Sequence, residues 1–163
     1  MNQRNFLMVL IAPALFMFNA CESGEAHEHA AEINQDSVKA QIMAMEAAYA
    51  VAENANNVDG VAAYYAADAE SMADNEPSRV GMDAIKAGIK KDMDADTTET
   101  TISFKTTGVW AAGNYATETG TSTTTDKEGK VLRTGKYITL FELRDGKYIA
   151  IRDMWNSDAP PAK

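Results

Sequence analysis

An α+β fold, with three helices ahead of a strongly curved antiparallel sheet, is predicted by a change of hydrophobic period along the 163 residues. Up to about residue 93 apolar side chains recur at steps of three and four; from Thr97 onward they recur at steps of two, among Thr, Tyr, Ile, Val and Phe. Turn signals at AAG, DKEG and Asp145-Gly146 then cut the second half into segments of strand length. A long helix lying across the concave side of such a sheet closes a cone-shaped pocket.

The first helix is expected to start at Asp36 or Ser37, either of which can cap it, and Val38, Ile42, Met45, Tyr49 and Ala52 give its apolar stripe to about Asn56. NNVDG interrupts it, and Asn57 caps a short second helix running through Tyr64 and Tyr65 to Ala67. On that helix one tyrosine is expected in the core and the other at the rim. AESMA forms a short strand, DNEP a turn, and Gly81 precedes a third helix on which Ile85, Ile89 and Met93 align at spacings of four. Four strands follow: TETTISFKTTGVW, NYATETGTSTTT, KVLRTGKYITLFELR and KYIAIRDMWN. Met72, Met82 and Met93 read as core fillers, Trp110 as an aromatic over a turn, and TSTTT as a solvated strand face.

The N-terminal segment reads differently. After MNQRN, the stretch FLMVLIAPALFMF is thirteen residues without a charge, too short to span a bilayer and right for the apolar region of a signal peptide. It ends at FNAC, where Ala20 precedes the single cysteine of the chain, and this resembles the lipobox at which bacterial lipoproteins are cut and lipidated. The usual Leu three residues ahead of the cysteine is Phe18 here. The resemblance implies a signal peptide over residues 1–20 and a lipidated Cys21, with more than one acyl chain and hence stable anchoring. Residues 21–35 read as a flexible acidic tether, 36–157 as one folded domain and 158–163 as a disordered tail.

Charge and motifs exclude several classes. The chain carries 15 Lys and Arg against 24 Asp and Glu, a net charge of −9 that becomes −10 once Arg4 leaves with the signal. Without a basic cluster, neither nucleic acid nor anionic lipid is an electrostatic partner, so membrane attachment rests on the acyl chains. His27 and His29, the two histidines, lie in the tether, which fixes too few ligands for a metal site; no metal and no cofactor are expected. Neither G-x-S-x-G nor a phosphate-binding G-x-x-x-x-G-K-[ST] is present.

NNVDGVAAYYAADAE, RVGMDAIK and GKYITLFELRDGKYIAIRDMWNSD together resemble the nuclear transport factor 2-like superfamily, in its SnoaL-like and ketosteroid isomerase-like branch, over about residues 37 to 157. The resemblance places the isomerases' first-helix tyrosine donor on Tyr49. It places their catalytic aspartate on Ala73, with Asp74 adjacent, and their second, protonated acid on Thr139. Steroid isomerisation by that mechanism therefore lacks two of its three parts. Alternation puts Ile151, Asp153 and Trp155 on one face of the last strand, which the resemblance makes the concave one, with Tyr137, Thr139 and Phe141 beside them. With Tyr49 and Tyr65 these residues form the expected ligand pocket. Asp153 and Tyr49 are its candidate acid–base pair; alternatively Asp153 is a carboxylate satisfied by a tyrosine hydroxyl or a backbone N–H that fixes sheet to helix.

Three functions are consistent with these residues: a lipid-anchored envelope domain binding a small, largely apolar molecule, a pocket enzyme of isomerase, cyclase or hydrolase type, and a homodimeric assembly module. Replacing the lipidation site tests the anchor directly. Cys21→Ser is expected to move the protein to the soluble fraction or leave it unprocessed on membrane fractionation; a cleaved mutant that still sediments with membranes contradicts lipidation.

Overall fold

The computed structural model describes residues 33–96 and 99–159; Cys21, His27 and His29 lie outside the described residues. Helix α1 spans Gln35–Asn54 and is capped by Asn34, which lies two to three residues ahead of the expected caps and whose side chain accepts a hydrogen bond from the Ser37 amide at 2.9 Å. Its inner stripe buries Val38, Ile42 and Ala52, and with them Glu46, which follows Ile42 by four residues. Helix α2 is short, Val58–Ala62, and starts at Asn57, whose side chain accepts from the Gly60 amide at 3.0 Å. Strand β1 (Tyr65–Met72) begins where the sequence predicts helix, so Tyr64 and Tyr65 stand at the entry to a strand and both are buried. Beyond a two-residue strand β2 (Arg79–Val80) comes helix α3 (Met82–Ala95), entered through Gly81 at φ 81°, a backbone angle that favours glycine.

The remaining strands are β3 (Thr101–Ala112), β4 (Tyr115–Thr125), β5 (Val131–Arg144) and β6 (Lys147–Ser157). The turn between β5 and β6 has positive φ at both Asp145 and Gly146, the backbone that Asp-Gly favours in a tight hairpin. One six-stranded curved sheet results, in the order β2-β1-β6-β5-β4-β3. It departs from an all-antiparallel sheet at one place: β1 runs parallel to β6. Among the register shifts of the ladders are one between Thr106 and Gly108 in β3 and one in β6 opposite Leu140 and Phe141 of β5, and an extra residue of this kind bends and twists a strand.

The second shift has a consequence for β6. Phe141 pairs with Ala150 and Leu140 with Arg152, which leaves Ile151 as the extra residue. Strict alternation through Ile151, Asp153 and Trp155 is therefore broken: Tyr148 and Ala150 face inward before the bulge, Asp153 after it. Ile151 is half-buried against the core instead of lining the concave face as a neighbour of Asp153.

The core gathers Ile42 from α1, Val61 and Ala62 from α2, Ile85 from α3 and Ala69, Phe141 and Ala150 from the sheet, each at most 1% exposed. Side-chain amides clamp α1 across it at both ends. Gln35 exchanges hydrogen bonds with the backbone of Ala111 at 2.8 and 3.0 Å, and Asn54 does the same with Ile102 at 2.9 and 2.8 Å. Both partners lie on β3, the sheet edge, so the clamps also cover backbone groups that an edge strand otherwise leaves open. At the other end of the domain Asp158, assigned to the tail from sequence, is tied to β5 through Thr134, whose carbonyl accepts from the Asp158 amide at 2.9 Å.

Candidate functional site

Between α1, α3 and the concave face of the sheet lies a cavity of about 680 Å³. Of the residues singled out from sequence, Tyr49, Tyr65, Tyr137, Thr139, Asp153 and Trp155 line it. Phe141 does not: it is fully buried behind the wall, its ring 5.5 Å from that of Tyr64 in an edge-on contact. Ile151 is absent from the lining as well, because it is the extra residue of the β6 bulge and packs against the core.

Asp153 sits at 7% exposure on β6. The parallel pairing of β1 with β6 sets Ser71 opposite it and Tyr65 close by, and the Tyr65 hydroxyl donates to Oδ2 at 3.2 Å. Oδ1 is buried with no partner at hydrogen-bond distance, although the Ser71 hydroxyl opposite lies close enough to the carboxyl to favour its ionised form. Burial pushes the Asp153 pKa up to about 6, with the Ser71 and Tyr65 hydroxyls and then the Arg79 charge tempering the rise. Tyr49 lies over Tyr65 at 6.4 Å between ring centroids and over Tyr64 at 4.9 Å. Burial first, then the Glu53 and Asp153 charges, raise the Tyr49 pKa far above the ordinary phenol range, which keeps its hydroxyl protonated.

Sequence reasoning missed two further carboxylates on the inside. Glu46, 7% exposed, accepts from the Tyr64 hydroxyl at 3.0 Å, and its pKa is pushed up to about 8 by burial and next by the Glu118 charge. Glu118, fully buried on β4, accepts from Thr106 at 2.7 Å and Tyr137 at 3.1 Å through Oε1, while Oε2 has no partner; burial raises its pKa too. A signal for both was present: Glu46 continues the Val38–Ile42 row at a spacing of four, and Glu118 alternates with Ala116 and Gly120 on one strand face. Tyr64 and Tyr65 both line the cavity, where one was expected at the rim, because each is the donor to an interior carboxylate.

The positions that the isomerase resemblance brings forward take other roles. Ala73 is buried, and Asp74 accepts from the Ser157 amide at 3.1 Å, fastening the end of β6 instead of entering the cavity. Thr139, 3% exposed, pairs with Asp153 across the β5–β6 ladder. Among the described residues no group of three or more His, Cys, Asp or Glu is disposed to hold a metal ion.

The SnoaL-like domain family matches residues 45–151, and the chain belongs to it. Solved structures share the architecture. A ketosteroid isomerase-like protein from Erwinia carotovora atroseptica is 22% identical over 74% of this chain and 96% of its own, with a TM-score of 0.60. A protein of unknown function with a cystatin-like fold from Nostoc punctiforme is 16% identical over 74% and 90%, at 0.68. An NTF-2 like protein of unknown function from Shewanella oneidensis is 17% identical over 72% and 98%, at 0.62. At these identities the likeness is one of fold. No curated protein matches the sequence.

The elevated Glu46 pKa makes a stability prediction. Because the folded value lies above that of the unfolded chain, about 4.3, protonated Glu46 favours the fold; that contribution is complete at acid pH and is lost as pH rises through about 8. Glu46→Gln, which keeps the shape and cannot ionise, is expected to gain on the wild type by an amount of order 4 kcal/mol between pH of about 4 and about 9, measured by urea unfolding. A wild-type-to-variant difference that stays constant with pH contradicts the burial of an ionisable Glu46.

Proposed function

We propose that this SnoaL-like domain is a lipid-anchored, exported binding module of the bacterial cell envelope, which holds a small, largely apolar molecule in a cone-shaped pocket. The observation that carries the reading is the cavity itself. About 680 Å³ is a volume that suits a small organic ligand. Its wall combines Tyr49, Phe104, Tyr137 and Trp155 with a single buried carboxylate oxygen left without a partner, Oδ1 of Asp153. The anchor at Cys21 rests on the sequence around Ala20-Cys21.

A second reading, acid–base catalysis by Asp153 with Tyr49, is favoured by the Asp153 pKa near 6, where a carboxylate exchanges protons readily at neutral pH. Binding is preferred because the second acid of the isomerase arrangement is Thr139 and its base position is Ala73, which leaves catalysis short of parts. Homodimerisation is compatible with either. On the outer sheet face Ile138 and Met154 are cross-strand partners, and each is about half exposed, as is Trp110 nearby.

Native mass spectrometry of the detergent-extracted full chain is expected to reveal a co-purified small molecule that is released on denaturation. With that molecule in hand, Asp153→Asn is expected to weaken binding of a neutral ligand by roughly 0.5 to 1.5 kcal/mol in calorimetry while the fold persists. A fall in turnover of roughly a hundredfold to ten-thousandfold with binding intact decides for the enzyme instead. Unchanged binding with lowered stability makes Asp153 a purely structural carboxylate.

A further inference from the structure

The tyrosine hydroxyls around the cavity are already committed to carboxylates. The hydroxyls of Tyr64, Tyr65 and Tyr137 already donate to Glu46, Asp153 and Glu118 respectively. The Tyr49 hydroxyl interacts with that of Tyr65. A ligand that brings only acceptors thus finds these tyrosine hydroxyls engaged, whereas Oδ1 of Asp153, in a residue 7% exposed, has no donor at hydrogen-bond distance.

The charge balance points the same way. Glu53, Asp92, Asp96, Glu99 and Asp153 line the cavity, with Glu46 mostly protonated beside them at neutral pH, against Arg79 and Arg133. Arg79 is committed: its guanidinium donates to Asp92 and to Glu76 at 2.8 Å each, and its side chain is 11% exposed. Its field still lowers the Asp153 pKa, but two carboxylates already share that charge. Arg133 is exposed. Four rings complete the lining, Tyr49, Phe104, Tyr137 and Trp155, each only partly buried. Tyr49 and Phe104 stand 5.5 Å apart, Phe104 and Tyr137 5.8 Å, in edge-on contacts. Aromatic faces attract cations, and they do so more strongly where water is excluded.

We infer that the cavity selects an organic amine in its protonated form, the ammonium N–H donating to Oδ1 of Asp153 and the apolar body lying among Tyr49, Phe104, Tyr137 and Trp155. The inference rests on the binding reading above and names the ligand's chemical class. An anion is excluded by the acids around the site, and a neutral donor satisfies Oδ1 without the attraction of the carboxylate charge and the ring faces.

Three probes of one shape separate the possibilities: phenethylamine, phenethyl alcohol and hydrocinnamate, titrated calorimetrically at neutral pH into the full chain freed of co-purified material. The amine is expected to bind about tenfold or more tightly than the alcohol, as a charge-assisted hydrogen bond requires, and hydrocinnamate is expected not to bind. Asp153→Asn is expected to bring the amine down to the affinity of the alcohol, with circular dichroism confirming the fold; should that variant not fold, the wild-type series decides alone. Binding of the alcohol or of hydrocinnamate as tight as that of the amine overturns the inference and leaves the binding module standing. Binding of none of the three overturns both.

Discussion

Interior carboxylates held by tyrosine hydroxyls are the constraint around which this domain is arranged. Burying an ionisable group without partners is costly, so each of Glu46, Glu118 and Asp153 requires a donor from a neighbouring element. Glu46 on α1 takes Tyr64, just ahead of β1; Asp153 on β6 takes Tyr65, on β1; Glu118 on β4 takes Tyr137 on β5 and Thr106 on β3. These contacts reach from the long helix through every strand of the sheet except the two-residue β2. They fix where the tyrosine rings stand, and the ring positions in turn define the cavity. The network is also incomplete, since Asp153 Oδ1 and Glu118 Oε2 are left over. Only the first belongs to a residue that lines the cavity.

The order of elements was legible in the sequence because it rests on local signals: the step of four on α1 and α3, the Asn57 cap, and the Asp-Gly turn. What was not legible depends on contacts distant in sequence. Tyr64 and Tyr65 follow a short helix, and nothing local says that the chain turns to strand there; the parallel pairing with β6, whose first contact is Tyr65 with Ala150, decides it. The bulge at Ile151 likewise belongs to the β5–β6 ladder and not to either strand alone. Asp153 and Trp155 lie beyond the bulge and keep a common face, whereas Ala150, which alternation turns outward, is fully buried and Ile151 packs against the core outside the cavity lining.

The site shows the same division. Tyr49, Thr139 and Asp153 were reached through a family resemblance and strand period, and all three line the cavity. Glu46 and Glu118 were passed over because charged residues are rarely placed inside unless they are paired, and the pairing tyrosines come from other segments. Recognising these two acids changes the chemistry that the cavity offers. An aromatic cup with one carboxylate accommodates a neutral ligand, but here the tyrosine hydroxyls are engaged by acids and an acceptor oxygen of Asp153 is left over. Membership of the SnoaL-like family sets the scaffold; the balance of donors and charges particular to this chain bears on the ligand.

The chemistry of the cavity depends most directly on the state of the Asp153 carboxyl. Residue-specific carbon NMR of its Cγ through a pH titration of the ligand-free protein reads that state without a substrate. A midpoint near 6, displaced upward in Tyr65→Phe because the hydroxyl that favours the ionised form is gone, is the predicted result. A midpoint in the ordinary aspartate range, unmoved by Tyr65→Phe, would place the carboxylate in water and contradict the buried, tyrosine-held acid on which the cavity's chemistry rests.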